Sequence, residues 1–178
     1  MQYIFIVDYS KHSGSGHLKR SSYLAKYIKN KDNKIIFFIN GNFLDAAKNE
    51  QFSTKKFDKK KIFDFDKKNT LIVIDSYYIN KNYVNKLYDK GFKIILFDDR
   101  ITSGLKANIL INQNLSFTKK DYKKTNVKKL LVGQKYSIIS DNLISIKKRR
   151  KLKKKIKNIM IDFGQASSKE MQYFLNYF

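Results

Sequence analysis

Short apolar runs alternate along this chain with longer amphipathic stretches. The runs are Gln2–Asp8, Lys34–Ile39, Thr70–Asp75, Lys93–Asp98, Ile109–Asn112 and Leu130–Gly133. Between the first two lies Leu18–Lys29, where helical spacing predicts one face made of Leu18, Tyr23, Leu24, Tyr27 and Ile28, and Asn80–Lys90 predicts a second helix. The short runs are nearly continuous in Ile, Val, Leu and Phe instead of alternating with polar residues. That is the pattern of strands covered on both faces, as in a parallel sheet. The expected fold is therefore α/β, a doubly wound, mostly parallel, Rossmann-like sheet over about residues 1–145.

The ends of these runs are polar. Leu71-Ile72-Val73-Ile74 ends in Asp75, Ile94-Ile95-Leu96-Phe97 ends in Asp98-Asp99, and a third run ends in Asn112-Gln113-Asn114. The first run is followed by Ser13-Gly14-Ser15-Gly16-His17-Leu18-Lys19-Arg20, a strand-to-helix turn with two glycines. In a parallel sheet all these ends share one edge, the edge where α/β proteins bind ligands. The polar groups are expected to converge there.

Past this unit the pattern changes. Lys147 to Lys157, "KKRRKLKKKIK", has nine basic residues in eleven. The stretch 146–157 reads as a basic linker or solvated helix, with nucleic-acid binding as the competing reading. A new strand is expected at Asn158–Phe163, then the turn Gly164-Gln165-Ala166-Ser167-Ser168 and a helix starting at Ser168 or Lys169. Residues 158–178 thus look like the start of a second α/β unit, cut short at Phe178.

Composition narrows the classes. The chain has 178 residues, of which 42% are hydrophobic and 15% aromatic, enough to bury one core. It has no cysteine, which excludes disulfides and thiolate metal sites, and no apolar run of about 18 residues to span a membrane. No signal-peptide pattern precedes the first strand, so the expected compartment is the cytoplasm. The 38 Lys+Arg against 15 Asp+Glu give a net charge of +23, which by itself points to nucleic acid or an anionic surface. The excess is almost all Lys, spread along the chain beside abundant Asn, Ile, Phe and Tyr, with no Pro or Trp. This is the output of an A/T-rich coding sequence, so no nucleic-acid or membrane partner is expected.

The chemistry-bearing residues each have a plain structural reading. Gly14 and Gly16 permit positive φ and close approach of a ligand to the backbone, with the amides of the following helix start offered to an anion, or they only make a tight connection. The third glycine of G-x-G-x-x-G is replaced by Lys19, which argues against a dinucleotide. Neither a P-loop nor a nucleophile elbow is present. His17 heads the helix, where the dipole disfavours the imidazolium and favours a proton-accepting ring, or it simply caps or packs. His12 reads as a solvated loop residue, and a lone histidine without cysteine is weak ground for a metal site. Asp75, Tyr77, Asp98 and Asp99 are candidate acids, orienting groups or hydroxyl ligands, or else turn residues and caps.

Taken in order, "GSGHLKR", "LIVIDSYYI", "KIILFDDR", "ILINQNLS", "LLVGQKYSIIS" and "IMIDFGQASSKE" resemble the nucleotide-sugar hydrolases of pseudaminic-acid synthesis, which act on UDP-2,4-diacetamido-2,4,6-trideoxy-β-L-altropyranose, and their relatives in spore-coat polysaccharide synthesis. The blocks span nearly the whole chain. The resemblance implies a two-lobed GT-B fold with this Rossmann-like unit as its N-terminal lobe, and hydrolysis of the sugar–UDP bond without metal or cofactor. It implies His17 as general base, with Gly14, Ser15, Gly16, Arg20, Asp75, Tyr77, Asp98, Asp99 and Asn114 lining the substrate site; Tyr78 adjoins Tyr77. One departure is Gly164-Gln165, where the family carries a Gly-Gly pair in the lobe that holds uridine. With so little of that lobe, the chain alone is expected to bind UDP-sugar weakly and turn over little, unless a separate chain supplies the rest. The competing functions are a GT-B glycosyltransferase-like lobe, a non-catalytic remnant and a basic binding module.

Overall fold

The computed structural model describes residues 1–49, 51–147 and 168–176. Two compact units are present, Met1–Ile138 and Ile139–Phe178. The first contains a seven-stranded sheet: β1 (Gln2–Tyr9), β2 (Lys34–Gly41), β3 (Ser53–Lys56), β4 (Thr70–Asp75), β5 (Lys93–Phe97), β6 (Lys106–Asn112) and β7 (Asn126–Val132), in the order β3-β2-β1-β4-β5-β6-β7. Every pair is parallel. The α/β, doubly wound, Rossmann-like expectation is met, with no antiparallel strand pairing in the sheet. The order reverses at β1, whose neighbours are β2 and β4, so the switch point of the sheet opens at the carboxyl ends of β1 and β4.

The strands are apolar throughout because both faces are covered. Alternate residues divide into two cores. Ile4, Ile6, Ile36, Phe38, Ile72, Ile74, Ile94 and Leu96 pack on one side with Tyr83, Val84 and Leu87 of helix α3 (Lys81–Asp89). Phe5, Val7, Phe37, Ile39, Val73, Phe97 and Ile111 pack on the other with Leu18 and Ala25 of helix α1 (Gly16–Ile28) and Ala46 of helix α2 (Phe43–Asn49). Phe5 and Phe37 stack with ring centroids 4.7 Å apart, tying β1 to β2 inside the second core.

The predicted face of the first helix needs correction. Leu18 is buried and Leu24 and Ile28 pack against the second core as expected, but the buried residues also include His17, Ser21 and Ala25, and Tyr27 is 64% exposed. At about 100° per residue Tyr27 falls on the side of α1 opposite Leu18, and the small Ser21 and Ala25 let the helix lie close on the sheet. Two elements were not foreseen. β3, Ser-Thr-Lys-Lys, has no apolar pattern, and α2 is only seven residues long. β6 and β7 also start earlier than predicted, through Lys106–Asn108 and Asn126–Lys129. β3 and the start of β7 lie on the sheet edges, where exposed lysines discourage pairing with another chain.

The second unit contains helix α4 (Asp141–Lys147) and helix α5 (Ser168–Leu175). Most of the basic stretch, the strand expected at 158–163 and the Gly164-Gln165 turn lie outside the described residues. No helix among the described residues is long and apolar enough to cross a membrane.

Candidate functional site at the switch point

The turn after β1 is built by its own polar residues. Ser10 Oγ accepts from the Ser13 amide at 3.0 Å, the Gly14 amide donates to the Ser10 carbonyl at 2.9 Å, and Gly14 adopts φ 71°, which glycine tolerates best. This is the tight connection that the plain reading of Gly14 expected. Gly16, read alongside it, does not have positive φ, and a Cβ there would meet nothing within 4 Å, so the fold itself does not demand glycine at 16. Gly41 is the glycine that does meet such a demand. Its φ is 114°, and a Cβ would lie 2.5 Å from the Tyr9 carbonyl oxygen.

α1 begins at Gly16, with Ser15 as N-cap residue making no side-chain cap and no acid in the first turn. His17 is therefore delivered to the mouth of the switch point, 5% exposed, with Nδ1 2.6 Å from Asp75 Oδ1 at the end of β4. Asp75 is 1% exposed and surrounded by donors. Arg20, one helical turn beyond His17, donates from Nε to Oδ2 at 2.8 Å and from a terminal nitrogen to Oδ1, and the Ser21 hydroxyl donates to Oδ2 at 3.3 Å. Burial by itself would raise the Asp75 carboxyl, but the hydrogen bonds from His17 and Arg20 outweigh it and hold the group below its ordinary value. An ionised carboxylate only accepts, so Nδ1 carries the ring proton and Nε2 is the nitrogen left to act. Nε2 makes no hydrogen bond among the described residues.

A second carboxylate extends the cluster. Arg20 reaches Asp99 Oδ2 at 3.2 Å and packs its guanidinium over the Phe97 ring at 4.5 Å. Burial opposes the charge of Arg20, yet the hydrogen bond and charge of Asp75, with those of Asp99, hold its proton more tightly than usual. The Tyr77 hydroxyl donates to Asp99 Oδ2 at 3.2 Å, and its ring meets the His17 ring edge-on, centroids 4.4 Å apart. Burial and then Asp99 raise the Tyr77 phenol above its ordinary value. Tyr78 is 59% exposed and among the described residues bonds only through its amide, to Ser76 Oγ, so Tyr77 is the tyrosine of the cluster.

The other predicted residues have structural duties. Asp98 accepts from the Thr102 amide at 2.8 Å, the Thr102 hydroxyl at 3.0 Å and the Arg100 amide at 3.4 Å, so it organises the loop after β5 and does not join the His17 cluster. Asn114 donates to the Asp99 carbonyl at 3.3 Å and binds Asn112 through its amide, bracing the same loop. His12 is exposed in the turn. Ser15 contributes its carbonyl to the Lys19 amide.

Sequence reasoning missed Asp8, which is fully buried at the end of β1. It accepts from the Tyr77 amide and from Ser76 Oγ, both at 2.6 Å, and from Asn40 Nδ2 at 2.9 Å, fixing the turn that carries Tyr77. The signal was available, since Asp8 ends an apolar run as Asp75 does. Arg100 was also missed: its guanidinium lies 4.2 Å over the Tyr77 ring. Among the described residues no group of three or more His, Cys, Asp or Glu is arranged to hold a metal ion. A cavity of about 530 Å³ lined by Phe38, Phe43, Thr54 and Phe65 contains none of these residues.

The arrangement is a carboxylate, an imidazole with one nitrogen held by it and the other without a hydrogen bond among the described residues, and a phenol beside it. Chemically it can accept a proton from a hydroxyl or water. No protein-family model matches this chain, and no curated protein matches it in sequence.

Proposed function

We propose that the sheet unit is the catalytic N-terminal lobe of a nucleotide-sugar hydrolase that splits a UDP-linked diacetamido-trideoxy-hexose into free sugar and UDP. The observation that carries this reading is the buried His17–Asp75 pair at the β1/β4 switch point, in which Nδ1 is held and Nε2 makes no hydrogen bond among the described residues. In this scheme Nε2 takes a proton from water as the water oxygen bonds to the anomeric carbon. The bond from that carbon to the diphosphate oxygen breaks, and its electron pair leaves with UDP. Asp75 keeps the proton on Nδ1 and stabilises the imidazolium that forms, as an orienting carboxylate does in other acid–base pairs. Arg20 balances the charge of Asp75, so that the carboxylate stays ionised although buried.

The six sequence blocks resembling the pseudaminic-acid hydrolases support the same substrate class, and with it a cytoplasmic role in making sugars for surface glycans or flagellin. The family's uridine site belongs to a second lobe, so turnover is expected to need that lobe, in this chain or another. The test measures UDP release from UDP-2,4-diacetamido-2,4,6-trideoxy-β-L-altropyranose by this chain, by the chain joined to a family C-terminal lobe, and by the joined form with His17→Ala. Turnover by the joined form that is lost in His17→Ala supports the reading. A folded joined form without turnover overturns it, leaving a sugar-binding remnant or, if a sugar acceptor restores activity, a glycosyltransferase.

A further inference from the structure

Lysine is the cation almost everywhere in this chain; arginine occurs only at 20, 100, 149 and 150. The two arginines of residues 1–147 both stand at the switch-point site, one on each side of Tyr77 and Asp99 in the contact network. Their situations differ. Arg20 is committed to Asp75 and Asp99. Arg100 is exposed, and among the described residues its guanidinium has neither an ion pair nor a hydrogen bond, only the face of Tyr77 at 4.2 Å.

The loop that carries Arg100 is held in an unusual shape. Ile101 has φ 55°, the one non-glycine residue with positive φ among the described residues, and a β-branched side chain is disfavoured there. The Asp98 carboxylate holds the turn against that strain through the amides of Arg100 and Thr102 and the Thr102 hydroxyl. Strain over-determined in this way gathers at ligand clamps and active sites. Here it presents a guanidinium, with its five donors unused, on a ring that touches His17 edge-on.

We propose that Arg100, seated on Tyr77 by the strained Asp98–Thr102 loop, is an anion-binding residue that takes the phosphoryl oxygens of the leaving diphosphate beside His17. The identity of the diphosphate rests on the hydrolase reading; the anion site does not. A guanidinium offers a planar fork of donors matched to two phosphoryl oxygens, where a lysine acts as a point charge, and this accounts for an arginine at 100 in a chain whose cations are mostly lysine. As the bond to the anomeric carbon breaks, negative charge grows on the diphosphate oxygen, and a cation already in place stabilises it.

The test titrates the whole protein with inorganic pyrophosphate and follows the Tyr77 ring and arginine Nε–H signals by NMR. Saturable shifts at Tyr77 and Arg100 are expected. Arg100→Gln should weaken binding about tenfold, Arg100→Lys should recover part of it, and Lys128→Gln, on the exposed β7 edge, should change nothing. The substitution Arg100→Gln keeps the backbone amide that Asp98 holds and removes only a guanidinium without a hydrogen bond among the described residues, so unchanged core signals will show the fold intact. Thr102→Val, which removes one tie to Asp98, should weaken binding by a smaller factor. Shifts spread over surface lysines with none at Tyr77, or Arg100→Gln binding as tightly as the wild type, would overturn the proposal. The two readings fail separately. Arg100-dependent pyrophosphate binding without UDP-sugar hydrolysis removes the hydrolase and keeps the anion site, whereas hydrolysis with both kcat and KM unchanged in Arg100→Gln does the reverse.

Discussion

Asp75 and Asp98 occupy equivalent places, each at the carboxyl end of an apolar strand and each buried, yet they do different work. Asp75 faces ionisable side chains, His17 and Arg20, and its charge is coupled to theirs. Asp98 faces backbone amides and a hydroxyl, and its charge is used to bend a loop. Strand alternation separates them. Asp75 continues the set Phe5, Val7, Val73, Phe97 that packs under α1, while Asp98 follows Phe97 and so points to the other side. Asp99, one further on, returns to the α1 side and meets Arg20. A carboxylate at a strand end thus meets ionisable side chains or backbone amides according to the face it lands on.

Neutralising each carboxylate in turn separates the two roles. Asp75→Asn puts an amide donor against Arg20 and His17, leaving a largely buried guanidinium with Asp99 as its one carboxylate partner. About 3 kcal/mol of stability should be lost, by denaturant unfolding, and UDP release should fall on the order of 10³–10⁴-fold because the ring tautomer is no longer held. His17→Ala should cut UDP release by about 10²–10⁴-fold with much less effect on unfolding, since no charge is orphaned in the same way. If the two variants lose stability equally, Asp75 is structural after all.

Asp98→Asn keeps the size of the side chain but weakens its hold on Arg100 and Thr102. A loss of about 1–2 kcal/mol is expected, with faster amide exchange confined to the loop after β5. Its effect on UDP release should appear in KM more than in kcat, the opposite of His17→Ala.

Stability against pH sharpens the contrast further. The Asp75 carboxyl is held below its ordinary value in the folded state, so the folded form binds fewer protons than the unfolded one in that range. Its stabilising effect is complete above the unfolded value of about 4 and is lost as pH falls through the lower folded value. The thermal midpoint should therefore drop on acidification below about pH 4, and Asp75→Asn should flatten that drop. The smallest effect concerns Tyr77. Replacing Asp99 with Asn removes one of the causes, after burial, that raise the phenol, so Tyr77 should ionise earlier in an alkaline ultraviolet titration.

Much of the fold was legible because buried parallel strands must be apolar on both faces. β1, β2, β4 and β5 announced themselves in this way, and the glycine turn and terminal acids located the edge where the polar groups gather. β3 and the first half of β7 left no such trace, because an edge strand can join through backbone hydrogen bonds alone while its lysines stay in water. The face of α1 was misjudged because large residues such as Tyr27 were weighted over Ser21 and Ala25, whose smallness is what lets a helix lie on a sheet.

The sequence by itself determined the α/β class, the strand-to-helix turn at Gly14–His17 and the gathering of polar residues at one edge, since these follow from local hydrophobicity and chain direction. Tertiary structure alone decided that His17 pairs with Asp75 across 58 residues, that Tyr77 and not Tyr78 meets it, and that Asp98 turns away. The physical reason lies in the same feature that made the fold legible. A strand apolar on both faces carries no period-two signal, so nothing along the chain marks which side of the sheet a terminal aspartate will face until the helices have packed.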